Sequence, residues 1–111
     1  MTDSITAEEF ARSDGVVDWN VTGAQGDGAV ARFATGSFTA GVELIEAISE
    51  LAEAAGHHPD VDLRFGHVLV RLVSHDIGGL SRRDVDLARQ ISAAARELDI
   101  PADDPAAGGA S

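Results

Sequence analysis

The sequence predicts an α+β fold, a four-stranded antiparallel sheet with helices packed on one face. Three observations predict it. Two long segments carry apolar residues at helical spacing, and two pairs of short alternating segments read as hairpins. Their order along the chain is short helix, strand, strand, helix, strand, strand, helix, which groups strands in neighbouring pairs and leaves helices to cover the sheet. The 111 residues suffice for one domain with one core, expected over residues 1–100, with residues 101–111 (PADDPAAGGAS) as a disordered C-terminal tail.

The first segment is polar, and Thr6-Ala7-Glu8-Glu9 forms a weak helix start that Gly15 closes, so the first helix is expected to be short or absent. Val16, Val17, Trp19 and Val21 suggest a strand. GAQGDG at residues 23–28 is a turn-rich break, and Ala29 to Phe33 reads as the second strand of a hairpin. From residue 37 the period changes. Phe38, Gly41, Ile45, Ile48, Ala52 and Ala55 recur at helical spacing, with Ser37 as N-cap. Gly56 stands where a helix would end and Pro59 discourages continuation.

Leu63 and Phe65 share one parity of a third strand, Asp62 and Arg64 the other. After Gly66, residues 67–75 read as a long strand with Val68, Val70, Leu72 and Ser74 on one face. Gly78-Gly79 breaks it. Ser81 is a good N-cap with Asp84 three residues on, and Val85, Leu87, Ala88, Ile91, Ala95 and Leu98 trace the last helix. The uncovered sheet face is left for solvent or a partner subunit.

Composition narrows the function. Nineteen acidic against eight basic residues give a net charge of −11, which disfavours phosphate-neutralising nucleic-acid binding. Cysteine is absent, which excludes disulfides, thiolate metal sites and thiol nucleophiles. The apolar runs are too short to span a membrane, and the acidic N-terminus lacks the basic and apolar regions of a signal peptide. A cytoplasmic protein with no nucleic-acid or membrane partner is the expectation.

Two segments can carry chemistry. In Glu53-Ala-Ala-Gly-His57-His58-Pro59 a histidine pair lies at a helix end, where exposed carbonyls favour a positive charge, and histidine exchanges protons near neutral pH. In Ser74-His75-Asp76-Ile77-Gly78-Gly79-Leu80-Ser81 a histidine closes a strand ahead of a glycine turn, a position often presented to a cleft. For both, the plain alternative is a solvated terminus. His67 shares parity with His75 but lies eight residues, about 26 Å, away along a strand, and is read as a surface residue. A zinc site from His57, His58 and His75 is disfavoured because adjacent residues project in different directions. No G-x-S-x-G and no phosphate-binding glycine loop is present.

Together these segments resemble the pterin-4a-carbinolamine dehydratases. The resemblance rests on Glu53, His57-His58-Pro59, Phe65, His75 and Asp84 at compatible spacing, and on SHDIGGLSRRDVDLA at residues 74–88; it covers roughly residues 33–98. It implies a sheet with helices on one face. It also implies dehydration of a 4a-hydroxy-tetrahydropterin (pterin-4a-carbinolamine) to quinonoid dihydropterin, in support of pterin recycling, with no metal or organic cofactor. By resemblance, His57, His58 and His75 are the catalytic set. His57, His58, Pro59, Ser74, His75, Asp76 and Ile77 would hold the pterin, and Glu53 and Phe65 would support the site. Glu53, one turn before His57, is placed to orient it or to be a solvated acid. Phe65 is expected to pack beside the site, and Asp84 to cap the last helix. Phe65 stands in place of the more usual tyrosine, and Gly56 and Ile77 stand where other members carry polar or thiol side chains. A homodimer or homotetramer is expected. The alternative is a non-catalytic member of the fold acting as an oligomeric scaffold or as an assembly or dimerisation factor.

Overall fold

In the computed structural model, residues 4–23 and 27–103 are described. A short helix, α1 (Ala7–Arg12), begins at Thr6 with a reciprocal capping box. Thr6 Oγ1 accepts from Glu9 N, and the Glu9 carboxylate accepts from Thr6 N at 2.8 Å. That bonding holds the Glu9 carboxyl below the usual carboxylate range. The first helix is therefore present, and short.

The sheet has the order β1 (Asn20–Thr22), β2 (Gly28–Ala34), β4 (His67–Leu72), β3 (Asp60–Leu63), all neighbours antiparallel. A fifth, two-residue strand, β5 (Ala102–Asp103), pairs with β2 at Phe33 and Arg32. It continues the edge that β1 leaves free, since β1 covers only residues 28–30 of β2. Residues 101–103, expected as the start of the tail, are instead tied to the sheet, the Pro101 carbonyl accepting from Ala34 N at 2.8 Å; residues 104–111 lie outside the described part, as do residues 24–26 of the first hairpin loop.

Register sorts the two sheet faces. Ala29, Ala31 and Phe33 pair with Leu72, Val70 and Val68, and all six are buried. Against them lie α2 (Phe38–Ala55) through Leu44, Ile48 and Ala52, and α3 (Arg82–Glu97) through Val85, Leu87, Ala88, Ile91 and Ala95. A fully buried side chain such as Phe33 contributes about 2–3 kcal/mol. The buried stripe of α2 is rotated from the predicted one. Leu44 replaces Ile45 at its centre, and Phe38 and Val42 remain exposed. Gly41 lets α2 lie close against the sheet, because a Cβ there would sit 2.5 Å from Leu63 Cδ1.

Three strand expectations are corrected. Residues 16–19 form a turn closed by Trp19 N donating to Val16 O at 2.9 Å. Val16 and Trp19 both enter the core while Val17 is 91% exposed, so the segment does not alternate. The indole of Trp19 meets Phe33 edge-on, and its Nε1–H donates to buried Ser92 Oγ of α3 at 3.0 Å. The fourth strand ends at Leu72 rather than His75 because its neighbours run out. β2 begins at Gly28 and β3 at Asp60, opposite Arg71. Phe65 leaves β3 for the hairpin turn, which Arg64 N closes on His67 O at 2.9 Å.

Candidate active site

The end of α2 aims the histidine pair. Gly56 adopts φ +64°, a left-handed conformation natural to glycine, and both its N–H and that of His57 donate to Ala52 O. The chain reverses there. His57 turns inward and is buried, whereas His58 faces solvent. Pro59 is half-buried and leads into β3.

The second segment forms a closed loop after β4. Ser74 N donates to Gly79 O at 2.8 Å, Gly79 N returns to Ser74 O, and Ile77 N adds a third bond to Ser74 O at 3.1 Å. Ser74 is wholly buried beneath this loop, Ile77 is half-buried, and His75 and Asp76 are exposed on its outside. Leu80, also buried, anchors the loop before Ser81 opens α3.

The two segments converge on Asp84. This carboxylate has no exposed surface. Its Oδ1 lies 2.6 Å from His57 Nε2. Its Oδ2 accepts from Ser81 N and from Ser74 Oγ, both at 2.9 Å. With Nε2–H committed to the carboxylate, a neutral His57 carries its lone pair on Nδ1, and the ring is fixed in orientation. Asp84 is therefore both the capping-box residue of α3 and the anchor of His57. The sequence reading found only the first role, because nothing in spacing reports a contact across 27 residues.

Glu53 does not orient His57. Its Oε2 lies 2.7 Å from His58 Nε2 in an exposed pair. At the loop, Arg83 Nη2 donates to Asp76 Oδ1 at 2.7 Å, and this bond holds the Asp76 carboxyl below the usual carboxylate range. Arg83, absent from the sequence-derived set, thus braces the exposed side of the loop. Phe65 is 77% exposed and sits at the turn of the β3–β4 hairpin, whereas the histidines flank its open end; four strand residues separate them by roughly 13 Å. Within one chain it does not pack beside the site. His67 lies toward that same turn, its Nδ1 3.3 Å from Arg32 Nη2. Among the described residues no three histidine, aspartate or glutamate side chains are grouped to hold a metal ion.

Fold and site together define a small α+β protein with a carboxylate-anchored histidine at a helix end and a second histidine exposed on the loop that leads into α3. The family model for pterin 4 alpha carbinolamine dehydratase matches residues 2–94, and the chain belongs to that family. A provisionally named pterin-4-alpha-carbinolamine dehydratase of Nocardia farcinica is 52% identical over 60 residues, 54% of this chain and 63% of the relative. One from Chloroflexus aurantiacus is 35% identical over 91 residues, 82% of this chain and 91% of the relative. The matched region spans less than two thirds of the Nocardia relative and of similar proteins from Acidobacterium capsulatum and Roseiflexus, at 63%, 61% and 59% of their lengths. A solved structure of a transcriptional coactivator/pterin dehydratase from Brucella melitensis superposes with a TM-score of 0.69 at 25% identity, covering 79% of this chain and 90% of that one. No helix among the described residues is long and apolar enough to cross a membrane.

Proposed function

We propose that this chain eliminates water from a 4a-hydroxy-tetrahydropterin to give quinonoid dihydropterin, with His57 and His75 as the acid and base and His58 positioning the ring. The observation that carries this reading is the 2.6 Å bond between His57 Nε2 and buried Asp84. A histidine held this way keeps one nitrogen for proton exchange with a substrate and the other for its anchor. In the elimination, the C4a–O bond breaks as an acid protonates the leaving hydroxyl. A base removes the proton from the ring nitrogen, whose electron pair forms the new C=N bond. One proton is given and one is taken, so the step balances without an added reductant or oxidant. Histidine near neutral pH suits both roles. His57, His58, Pro59 and the loop residues His75, Asp76 and Ile77 supply the binding surface in this reading, whereas Ser74, expected to join it, is wholly buried beneath the loop; pterin recycling in the cytoplasm is its setting.

The test is the rate at which chemically generated 4a-hydroxy-tetrahydropterin dehydrates, followed by ultraviolet absorbance. Wild type accelerates it and His57→Ala loses most of the acceleration. Folded wild-type protein that adds nothing to the spontaneous rate refutes the proposal.

One observation favours a second, compatible reading as an oligomeric scaffold. Phe38 and Val42 of α2, Val61 of β3 and Phe65 at its hairpin turn are exposed by 51%, 39%, 36% and 77%, and β3 is the edge strand on that side. A homodimer or homotetramer would cover such apolar surface. Light scattering of the eluted protein at micromolar concentration checks it; a strict monomer removes the reading.

A further inference from the structure

The Asp84 carboxylate is held by more than its helix cap requires. The cap at the start of α3 uses the Ser81 hydroxyl, which accepts from Arg83 N at 3.2 Å, and the bond from Ser81 N to Asp84 Oδ2 at 2.9 Å. Ser74 belongs to neither helix nor cap. Its backbone is already satisfied by Gly79 in both directions, yet its hydroxyl reaches Asp84 Oδ2 at 2.9 Å and Ser81 Oγ at 2.7 Å. Ser74, Ser81 and Asp84 have no exposed surface, so bulk water does not substitute for any of these bonds.

Proton counting gives the chain a direction. Each hydroxyl has one proton to donate. Ser81 Oγ is 3.4 Å from Asp84 Oδ2 but 2.7 Å from Ser74 Oγ, and it accepts from Arg83 N. The arrangement that satisfies every partner runs Ser81 O–H to Ser74 Oγ, then Ser74 O–H to Asp84 Oδ2. Oδ2 is thereby filled by the Ser81 amide and the Ser74 hydroxyl, and Oδ1 is left for His57.

We propose that Ser74 is a positioning residue for the proposed dehydration: its hydroxyl, supported by Ser81, fixes the Asp84 rotamer that directs Oδ1 at His57 Nε2. Ser74 acts through Asp84 and has no need to touch the pterin. The catalytic part of this inference rests on the dehydratase reading; the part concerning His57 does not.

The experiment compares wild type, Ser74→Ala and Ser74→Thr by nitrogen-15 and proton spectroscopy of the histidine rings, with His57→Ala to assign the His57 signal, and by dehydration kinetics. In wild type the His57 Nε2 proton is expected to be downfield and slow to exchange. Ser74→Ala is expected to shift it upfield or broaden it, and to lower kcat by about ten- to a hundredfold, the value of one hydrogen bond to a charged group, while KM stays within about twofold because substrate contacts persist. Threonine, which keeps the hydroxyl, is expected to restore both. An unchanged His57 resonance in folded Ser74→Ala overturns the inference, and so does a shifted resonance with unchanged kcat. Should the alanine variant not fold, Ser74→Cys retains a weak donor: an intermediate shift supports the assignment and no shift overturns it. A wild type without dehydratase activity would refute the proposed function and, with it, the catalytic role of Ser74, while the resonance still decides whether Ser74 positions Asp84 against His57.

Discussion

His57 and Asp84 stand 27 residues apart in the chain and 2.6 Å apart in space, joined by a hydrogen bond whose carboxylate end is wholly buried. One residue closes α2 and the other opens α3, so the bond ties the two helix termini together at the open end of the β3–β4 hairpin.

Replacing the carboxylate with an amide of the same shape reverses that bond. The oxygen of Asp84→Asn must stay where Ser74 and Ser81 donate, which turns its NH2 toward His57. Two donors then face each other, and the ring is expected to shift its proton to Nδ1, occupying the lone pair that the proposed dehydration would use. The expected loss in kcat is about a hundredfold or more, by analogy with tautomer reversal in other aspartate–histidine pairs. Stability should fall by about 1–3 kcal/mol, the cost of weakening a buried charged hydrogen bond. Steady-state kinetics and thermal denaturation measure the two effects.

Glu53→Gln should matter far less. Glu53 and His58 are 73% and 59% exposed at their side chains, and exposed ion pairs contribute about 0–1 kcal/mol. A change in kcat below about threefold, equivalent to less than about 0.7 kcal/mol, is expected, together with an unfolding midpoint close to wild type. A large kinetic defect would show that His58 depends on its carboxylate partner.

Gly56→Ala should destabilise the fold by about 1 kcal/mol. Nothing lies within 4 Å of the added methyl, so the cost comes from holding φ +64° with a Cβ present. Gly56→Asn should cost less, because asparagine enters this region more readily. Chemical denaturation of the two variants gives the comparison.

His67 should make the protein less stable in mild acid. Its pKa lies below the ordinary 6.5, first because of burial and then because of Arg32 and Arg64, with Asp62 and Asp103 opposing. Arg32 Nη2 also donates to its Nδ1, a bond that protonation removes. As pH falls below about 6.5, the unfolded chain takes up a proton that folded His67 resists, so this residue's contribution is present above that pH and is lost below it. His67→Gln should therefore lose less stability than wild type between about pH 7 and pH 5, as denaturant melts at several pH values would show.

Local signals in the sequence were dependable wherever one residue sets one conformation. Ser37, Gly56 and Ser81 bound their helices as their chemistry indicates, and the alternation of Val68, Val70 and Leu72 faces the core as expected. The failures share a cause. Val16 to Trp19 has strand composition but folds as a turn, β4 stops where its neighbours stop, and Ala102 finds a free length of β2 to pair with. Each depends on what another part of the chain offers. At the site, both histidine segments could be singled out from their types and positions, and proximity in sequence suggested Glu53 as the partner of His57. The actual partner, Asp84, is fixed by how α3 packs, which no periodicity encodes.

Trp19 is the single tryptophan of a chain that has no tyrosine. Its emission therefore originates at one place, where the ring is in edge contact with Phe33 of the sheet and hydrogen-bonded to Ser92 of α3. The protein carries its own optical gauge of whether that helix is seated. Separation of α3 from the sheet would expose the indole and redden its fluorescence, and the same separation would pull Asp84 away from His57. Assembly of the histidine site can thus be followed by light, with no label attached.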